Sequence, residues 1–229
     1  MTAAVARQLC DQDVPVLATR EPTDTPLGDL ARYGTDEYQG TAMACLVAAD
    51  RYKHGEEIRS ALERGEVVVC DRYIASSLAL QCMDGVDREF VYLLNEGVVQ
   101  PDLVVLLSGL PEVIAERLAA RGAHSRYERE DSSRRIECAY FAEAGKFLRG
   151  TGHRVLDVDT SGVGTEEAAR TVVSAVTRLI KNQESNVAGR ADVQLEQPVP
   201  GARGAATPVS GGATGACAGA DGDGAQRRV

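Results

Sequence analysis

Four short apolar runs alternate along the chain with segments of helical spacing, and this alternation constrains the fold more than any other feature. The runs are Val14–Thr19, Glu66–Cys70, Asp102–Leu107 and Arg154–Val158. Their apolar residues are continuous rather than alternating, which is typical of strands buried on both faces. Strands that alternate with helices predict an α/β fold, in which a parallel sheet is flanked by helices in three α/β/α layers.

Six segments around these runs have the spacing of helices. They are Ala3–Asp11, Tyr38–Arg64, Asp87–Gly97, Pro111–Arg121, Ser132–Arg149 and Thr165–Lys181. Pro111 stands at a first helical turn, where its missing N–H costs nothing. In a fold of this class ligands bind at the carboxyl ends of the strands, so we expect the functional residues there.

The composition changes at about Glu184. Residues 184–229 are rich in Gly, Ala and Pro and contain no aromatic residue. Such a segment cannot bury enough apolar surface to offset the entropy lost on ordering. We therefore expect residues 1–183 to form the domain and residues 184–229 to be a disordered tail.

Charge and cysteine content exclude several classes of protein. The chain has 25 Lys and Arg against 34 Asp and Glu, a net charge of −9, which argues against a nucleic-acid coat protein. No run approaches the roughly 20 apolar residues that cross a bilayer, and the first residues are not those of a signal peptide. The six cysteines are scattered and the three histidines form no metal motif, so we predict a cytoplasmic protein without a zinc site.

Charged residues cluster after three of the predicted strands or strand–helix units. Arg20 and Glu21 follow the first strand, and Asp71 and Arg72 follow the second. An Asp at a strand end can hold Mg²⁺ through water, and an adjacent Arg can bind phosphate. The third cluster is an arginine-rich stretch that suits a lid over transferred phosphates; its members are Arg117, Arg121, Arg126 and Arg129. Taken singly, each cluster is equally compatible with surface ion pairs or a solvated loop.

The order of these motifs resembles the thymidylate kinase family over roughly residues 1–180. The matching segments are TREPxxTPLG, AADRYKH, VVVCDRYIASSLALQ, PDLVVLL and RGxxSRYERED. The resemblance implies a P-loop nucleoside-monophosphate kinase fold with an arginine-containing lid. It also implies transfer of the γ-phosphate of ATP to dTMP, giving dTDP, with Mg²⁺ and usually as a homodimer.

The resemblance also assigns roles to individual residues. Asp71 would assist the metal through water, and Arg72 would hold the acceptor phosphate beside the loop of Glu21 and Pro22. Arg51 would contact the thymine, which Ser77 and Gln81 border. Arg121 would stack on the adenine of ATP, and Arg126 would act as a catalytic lid residue together with Tyr127 and Glu128.

Two positions depart from the family pattern at the base site. Val47 stands where an aromatic residue usually stacks on thymine, and Leu80 stands where a tyrosine is common. Valine offers less stacking area. These departures leave open a kinase for another nucleoside monophosphate.

The sequence contains no GxxxxGK[ST] phosphate-binding loop. The segment Ala3–Asp11 resembles the helix that follows this loop, and the resemblance implies a central strand before it. Without that strand, two neighbouring strands would keep unpaired backbone groups, each costing about 1–3 kcal/mol. We therefore hypothesise that Met1 is an internal methionine, which the in-frame codons before it would test. The alternative is an inactive remnant that binds a nucleotide or a partner.

Overall fold

A computed structural model of the chain describes residues 1–121 and 134–195. Its contacts divide the chain into one compact unit that holds residues 1–176 and a second that holds residues 177–226. The described residues form four strands and eight α-helices. The strands are β1 (Val16–Arg20), β2 (Val67–Asp71), β3 (Val104–Ser108) and β4 (Val155–Asp159). The helices are α1 (Thr2–Cys10), α2 (Pro26–Tyr33), α3 (Gly40–Glu63), α4 (Ile74–Met83), α5 (Arg88–Leu94), α6 (Pro111–Arg121), α7 (Arg134–Gly150) and α8 (Thr165–Leu195).

The prediction of an α/β fold with parallel strands is confirmed. β1 pairs with β2 from Val16↔Val67 to Arg20↔Asp71. β3 pairs with β4 in the same parallel sense, from Val104↔Val155 to Ser108↔Asp159. In the described part of the chain, however, these strands form two separate two-stranded sheets rather than one.

Two helices were absent from our sequence prediction. α2 begins where we expected a loop of Pro and Gly turns; its N-cap is Thr25, whose Oγ1 accepts a hydrogen bond from the Gly28 N–H at 3.1 Å. Pro26 occupies the first helical turn, which proline favours. α4 follows Tyr73 and buries most of its circumference, so it lacks the polar stripe by which an amphipathic helix is recognised.

The strands are less buried than their apolar sequences predict. Leu107 is 47% exposed, and Ala18 and Asp71 are exposed as well. The first residues of β2 and β3, Val67 and Val104, are buried. The expectation of full burial therefore holds for part of β2, β3 and β4 and for no residue of β1.

The main apolar core lies on one side of β3 and is built by helices α3, α4, α5 and α7. Its fully buried members include Leu78, Ala79 and Leu148, and Val104 of β3 packs with them. A smaller cluster joins α3 to β2 through Ile58, Ala61, Leu62 and Val68. The smaller cluster packs β2, with Leu17 of β1, against α3, the helix that carries Arg51.

The last helix is longer than predicted. α8 begins at Thr165 as expected but continues to Leu195, past the expected end at Lys181. The remainder of the predicted tail, residues 196–229, lies outside the described residues. None of the described helices is both long and apolar enough to cross a bilayer.

Candidate active site

A buried ion pair lies at the centre of the candidate site. Arg51 of α3 is 1% exposed, and its Nε donates to Oε2 of Glu21 at 2.7 Å. Its Nη1 donates to Oγ of Ser77 at 3.0 Å and to Oδ1 of Asn95 at 2.5 Å. A buried charge is tolerated only when it is paired and hydrogen-bonded, so these contacts fix the guanidinium in one position.

The second carboxylate oxygen of Glu21 extends the network to α3 and β1. Oε1 lies 3.1 Å from Nδ1 of His54, and Nε2 of the same ring lies 2.8 Å from Oγ1 of Thr19. The Arg51 guanidinium also stands over the ring of Tyr73, 5.0 Å from its centroid. A carboxylate, an imidazole and a guanidinium are therefore held together behind the ends of β1 and β2.

The loop after β1 is anchored to α3 by a second carboxylate. Asp50 is 1% exposed; its Oδ2 accepts from the backbone N–H of Thr23 at 2.8 Å, and its Oδ1 accepts from the Thr23 hydroxyl at 2.5 Å. Arg32 of α2 donates to the carbonyl oxygen of Pro22. These bonds make the loop that carries Glu21 and Pro22 a fixed wall of the site.

The side-chain oxygen of Gln81 in α4 is a buried acceptor. The residue is 3% exposed, and no described residue donates a hydrogen bond to its Oε1. It lies one helical turn after Ser77, which bonds to Arg51. Because buried polar atoms are almost always hydrogen-bonded, an orphan acceptor beside a polar network indicates a position for a ligand donor.

Asp71 and Arg72 stand exposed where β2 ends. Arg72 has φ = 66°, a left-handed backbone that non-glycine residues adopt at a cost of about 1–3 kcal/mol and that is common at functional sites. Asp71 borders a cavity of about 730 Å³, and so do Thr19, Arg20 and Lys53. The carboxylate of Asp71 suits Mg²⁺, which proteins bind through one or two carboxylates together with substrate phosphates and water.

Glu21, His54 and Cys70 bring their ligand atoms within 4.8 Å of one another. Burial, followed by the nearby Glu21 carboxylate, raises the pKa of the Cys70 thiol. The Cys70 thiol of the folded chain therefore keeps its proton at neutral pH. Two members of the cluster, Glu21 and His54, are already engaged in the network that holds Arg51.

The raised pKa of Cys70 gives a prediction about alkaline pH. The folded chain keeps the thiol proton to higher pH than the unfolded chain, whose thiol has a pKa of about 8.5. The free energy of unfolding should therefore fall as the pH rises above about 8.5. In urea titrations between pH 7 and 10, Cys70→Ser should lose stability less steeply than the unaltered chain. Cys10→Ser, which alters an exposed thiol, is the control. If the free energy of unfolding fell equally steeply with pH in all three proteins, Cys70 would not be the group responsible.

The structure places three of the residues that the sequence singled out in direct contact. Glu21, Arg51 and Ser77 form one network, and Gln81 lies next to it. Pro22 lies in the anchored loop, and Asp71 and Arg72 end β2. Arg121 ends α6, but its side chain lies outside the described part of the chain. Arg126, Tyr127 and Glu128 lie outside it entirely.

Sequence reasoning missed three members of the site. Asp50 and His54 are four residues apart in AADRYKH, and Arg51 and His54 are three apart; both spacings make side chains neighbours on a helix, so they were a usable signal. Asn95 follows the short helix α5 and is 2% exposed. Nothing in its local sequence marks it, because its contact with Arg51 spans 44 residues.

Comparison with known proteins shows which family the chain is similar to. A family model described as thymidylate kinase matches residues 1–156. A probable thymidylate kinase of Pyrobaculum aerophilum is 33% identical over 180 residues, which cover 76% of this chain and 89% of that protein. A thymidylate kinase of Thermomicrobium roseum is 37% identical over 153 residues, covering 62% of this chain and 73% of that protein. A probable thymidylate kinase of Pyrococcus abyssi is 36% identical over 147 residues, covering 60% and 72%.

Proposed function

Because the chain belongs to the thymidylate kinase family of nucleoside-monophosphate kinases, we propose that it acts in the transfer of the γ-phosphate of ATP to dTMP, giving dTDP and ADP. An oxygen of the dTMP phosphate forms the new bond to the γ-phosphorus, and the bond from that phosphorus to the β,γ-bridging oxygen breaks. Such a reaction depends on positioning and charge neutralisation more than on covalent catalysis. The observation that carries the proposal is the unpaired Gln81 acceptor beside the Arg51 network.

The base is recognised by hydrogen bonds in this proposal. Thymine has an N–H at N3, which can donate to Oε1 of Gln81, whereas the same nitrogen of cytosine carries no hydrogen. The polar edge of the base faces the side of α4 that carries Ser77 and Gln81. Val47 is half-buried and Leu80 is buried, so the apolar contacts of the base come from aliphatic side chains.

The acceptor phosphate belongs at the end of β2. Arg72 holds its oxygens there, next to the anchored loop of Glu21 and Pro22. Asp71 would hold Mg²⁺ through water, and the ion would neutralise charge on the phosphates when bound. The roles of Arg121, Arg126, Tyr127 and Glu128 in holding ATP and closing the lid remain predictions.

Turnover requires a donor site that the 229 residues do not encode as a GxxxxGK[ST] loop. We expect the chain itself to bind dTMP. ADP release should require a longer protein in which such a loop precedes α1. We also propose that the protein is a homodimer, with the long helix α3 contributing to the interface. A measurement of the mass of the protein in solution tests this.

A coupled ADP-release assay tests the proposed reaction. The chain and a product extended by its in-frame upstream codons are compared with dTMP, dUMP and dCMP as acceptors. We expect ADP release from the extended product with dTMP, and at least about 100-fold less with dCMP. An extended product that binds dTMP without releasing ADP would indicate a non-catalytic protein, and a preference for dCMP would indicate a different kinase.

Base recognition can be measured without catalysis. Gln81→Met removes the amide and keeps the length of the side chain. In calorimetric titrations the unaltered chain should bind dTMP about 10-fold or more tightly than dCMP, and Gln81→Met should remove that difference. Gln39→Met replaces an exposed glutamine and is the matched control. Retained discrimination in Gln81→Met would contradict the assignment.

A further inference from the structure

The imidazole of His54 is fully buried beside the ion pair of the candidate site. Its side chain is 0% exposed, and it lies on α3 three residues after Arg51. Each of its two nitrogens has a partner: Nδ1 lies 3.1 Å from Oε1 of Glu21, and Nε2 lies 2.8 Å from Oγ1 of Thr19. A buried ring that is hydrogen-bonded at both nitrogens is held in one orientation.

The partners of this ring determine where its proton lies. Glu21 forms an ion pair with Arg51, and an ionised carboxylate only accepts hydrogen bonds. Nδ1 of His54 must therefore carry a proton and donate it to Oε1 of Glu21. The Thr19 hydroxyl can donate or accept, so Nε2 is satisfied whether or not it carries a proton.

The donation from His54 fixes the oxygen of Glu21 that Arg51 does not contact. Oε2 accepts from Nε of Arg51 at 2.7 Å, so each oxygen of the carboxylate is held by a different residue of α3. The terminal torsion of a glutamate has a broad energy minimum, so one contact alone leaves the carboxylate plane poorly defined. The imidazole therefore sets the plane in which Glu21 meets the guanidinium.

The orientation of the Arg51 guanidinium matters because part of it remains available to a ligand. Its Nε and Nη1 donate to Glu21, Ser77 and Asn95. Among the residues that the structure describes, none accepts from Nη2, which carries two N–H groups. Hydrogen bonds weaken steeply when their angle changes, so a rotated guanidinium would present these two donors poorly.

We propose that His54 is a positioning residue of the nucleotide site, which holds Glu21 through its Nδ1–H and thereby fixes Arg51 in the orientation that binds the base. His54 acts through Glu21 and Arg51, without contact with the nucleotide. The inference rests on the proposed function for its ligand, dTMP, and adds to that site a residue to which the resemblance assigns no role.

Two substitutions separate the two nitrogens of the ring. An asparagine amide lies close to the position of Nδ1, and a glutamine amide lies close to that of Nε2. His54→Asn therefore keeps a donor for Glu21, whereas His54→Gln keeps only the contact with Thr19. Glutamine is nearer to histidine in volume, so a role in packing alone would favour His54→Gln. The positioning role favours His54→Asn instead.

Calorimetric titration of the full chain with dTMP measures the effect on binding. We expect His54→Asn to bind dTMP within about 3-fold of the unaltered chain, and His54→Gln to bind it at least about 10-fold more weakly. Urea denaturation of each variant establishes that both are folded under the conditions of the titration.

The position of Arg51 can also be followed without a nucleotide. Its Nε–H gives a ¹H–¹⁵N signal that is identified by nuclear Overhauser contacts with the ring of Tyr73, which lies 5.0 Å from the guanidinium. The exchange of this hydrogen with water reports its hydrogen bond to Glu21. We expect the exchange to be at least about 10-fold faster in His54→Gln than in His54→Asn.

Equal affinities of the two variants for dTMP, or equal exchange at Arg51, would overturn the proposal. Tighter binding by His54→Gln would assign His54 a role in packing alone. If the unaltered chain did not bind dTMP, the proposed function would fail, and the exchange at Arg51 would decide the role of His54 by itself.

Discussion

Arg51→Met should lower the free energy of unfolding by about 3–5 kcal/mol. The substitution leaves the Glu21 carboxylate, which is 4% exposed, without its guanidinium partner. It also removes the donor to Ser77 and Asn95, two further buried polar groups. Urea denaturation followed by circular dichroism measures the change, with the slope of the transition used to check that unfolding remains two-state.

A matched substitution separates burial from charge. Arg64 pairs with Glu66 at 2.7 Å but is 55% exposed, so Arg64→Met should cost less than about 1 kcal/mol. The double variant Glu21→Gln, Arg51→Met removes both charges and should recover part of the loss. If Arg51→Met lowered the free energy of unfolding no more than Arg64→Met, the buried ion pair would not contribute more to stability than an exposed one.

Gly28→Ala should destabilise the chain by about 2–3 kcal/mol and weaken binding of dTMP by about 10-fold or more. A Cβ at Gly28 would stand 2.1 Å from the carbonyl oxygen of Thr23, a backbone atom that cannot rotate away. The loop would have to move, and Thr23 would lose its hydrogen bonds to Asp50. Thermal unfolding and calorimetric titration with dTMP measure the two effects.

The control for Gly28→Ala is a glycine with open space. Gly150 is the last residue of α7, and nothing lies within 4 Å of a Cβ built there. Gly150→Ala should leave dTMP binding unchanged and should not reduce stability, since alanine favours helix more than glycine does. If the two variants behaved alike, close packing of the loop on α2 would not govern the site.

The sequence predicted best those elements that carry local signals. Pro111 and Gly122 bracket α6, and both of its predicted ends agree with the structure. β1 to β4 each lie within two residues of the expected bounds, because β-branched runs between turn residues are distinctive. α4 was missed because a helix buried around most of its circumference has no polar face to reveal its period.

The site was predictable to the extent that its residues fall in linear motifs. Glu21, Arg51 and Ser77 come from three separate motifs, and only the fold makes them neighbours. Asn95 could not be found from sequence, because its role arises from a contact between distant segments. The division into two sheets also has no local signal, since it depends on which strand edges meet in space.

The open edges of β2 and β3 also affect how the chain behaves at high concentration. Val67–Cys70 and Val104–Leu107 contain neither a charged residue nor a proline. Charged residues and prolines are two of the features by which natural edge strands avoid pairing with other molecules. Because β2 pairs only with β1 and β3 only with β4 among the described residues, the other edge of each strand is a template for intermolecular β-pairing and hence for aggregation.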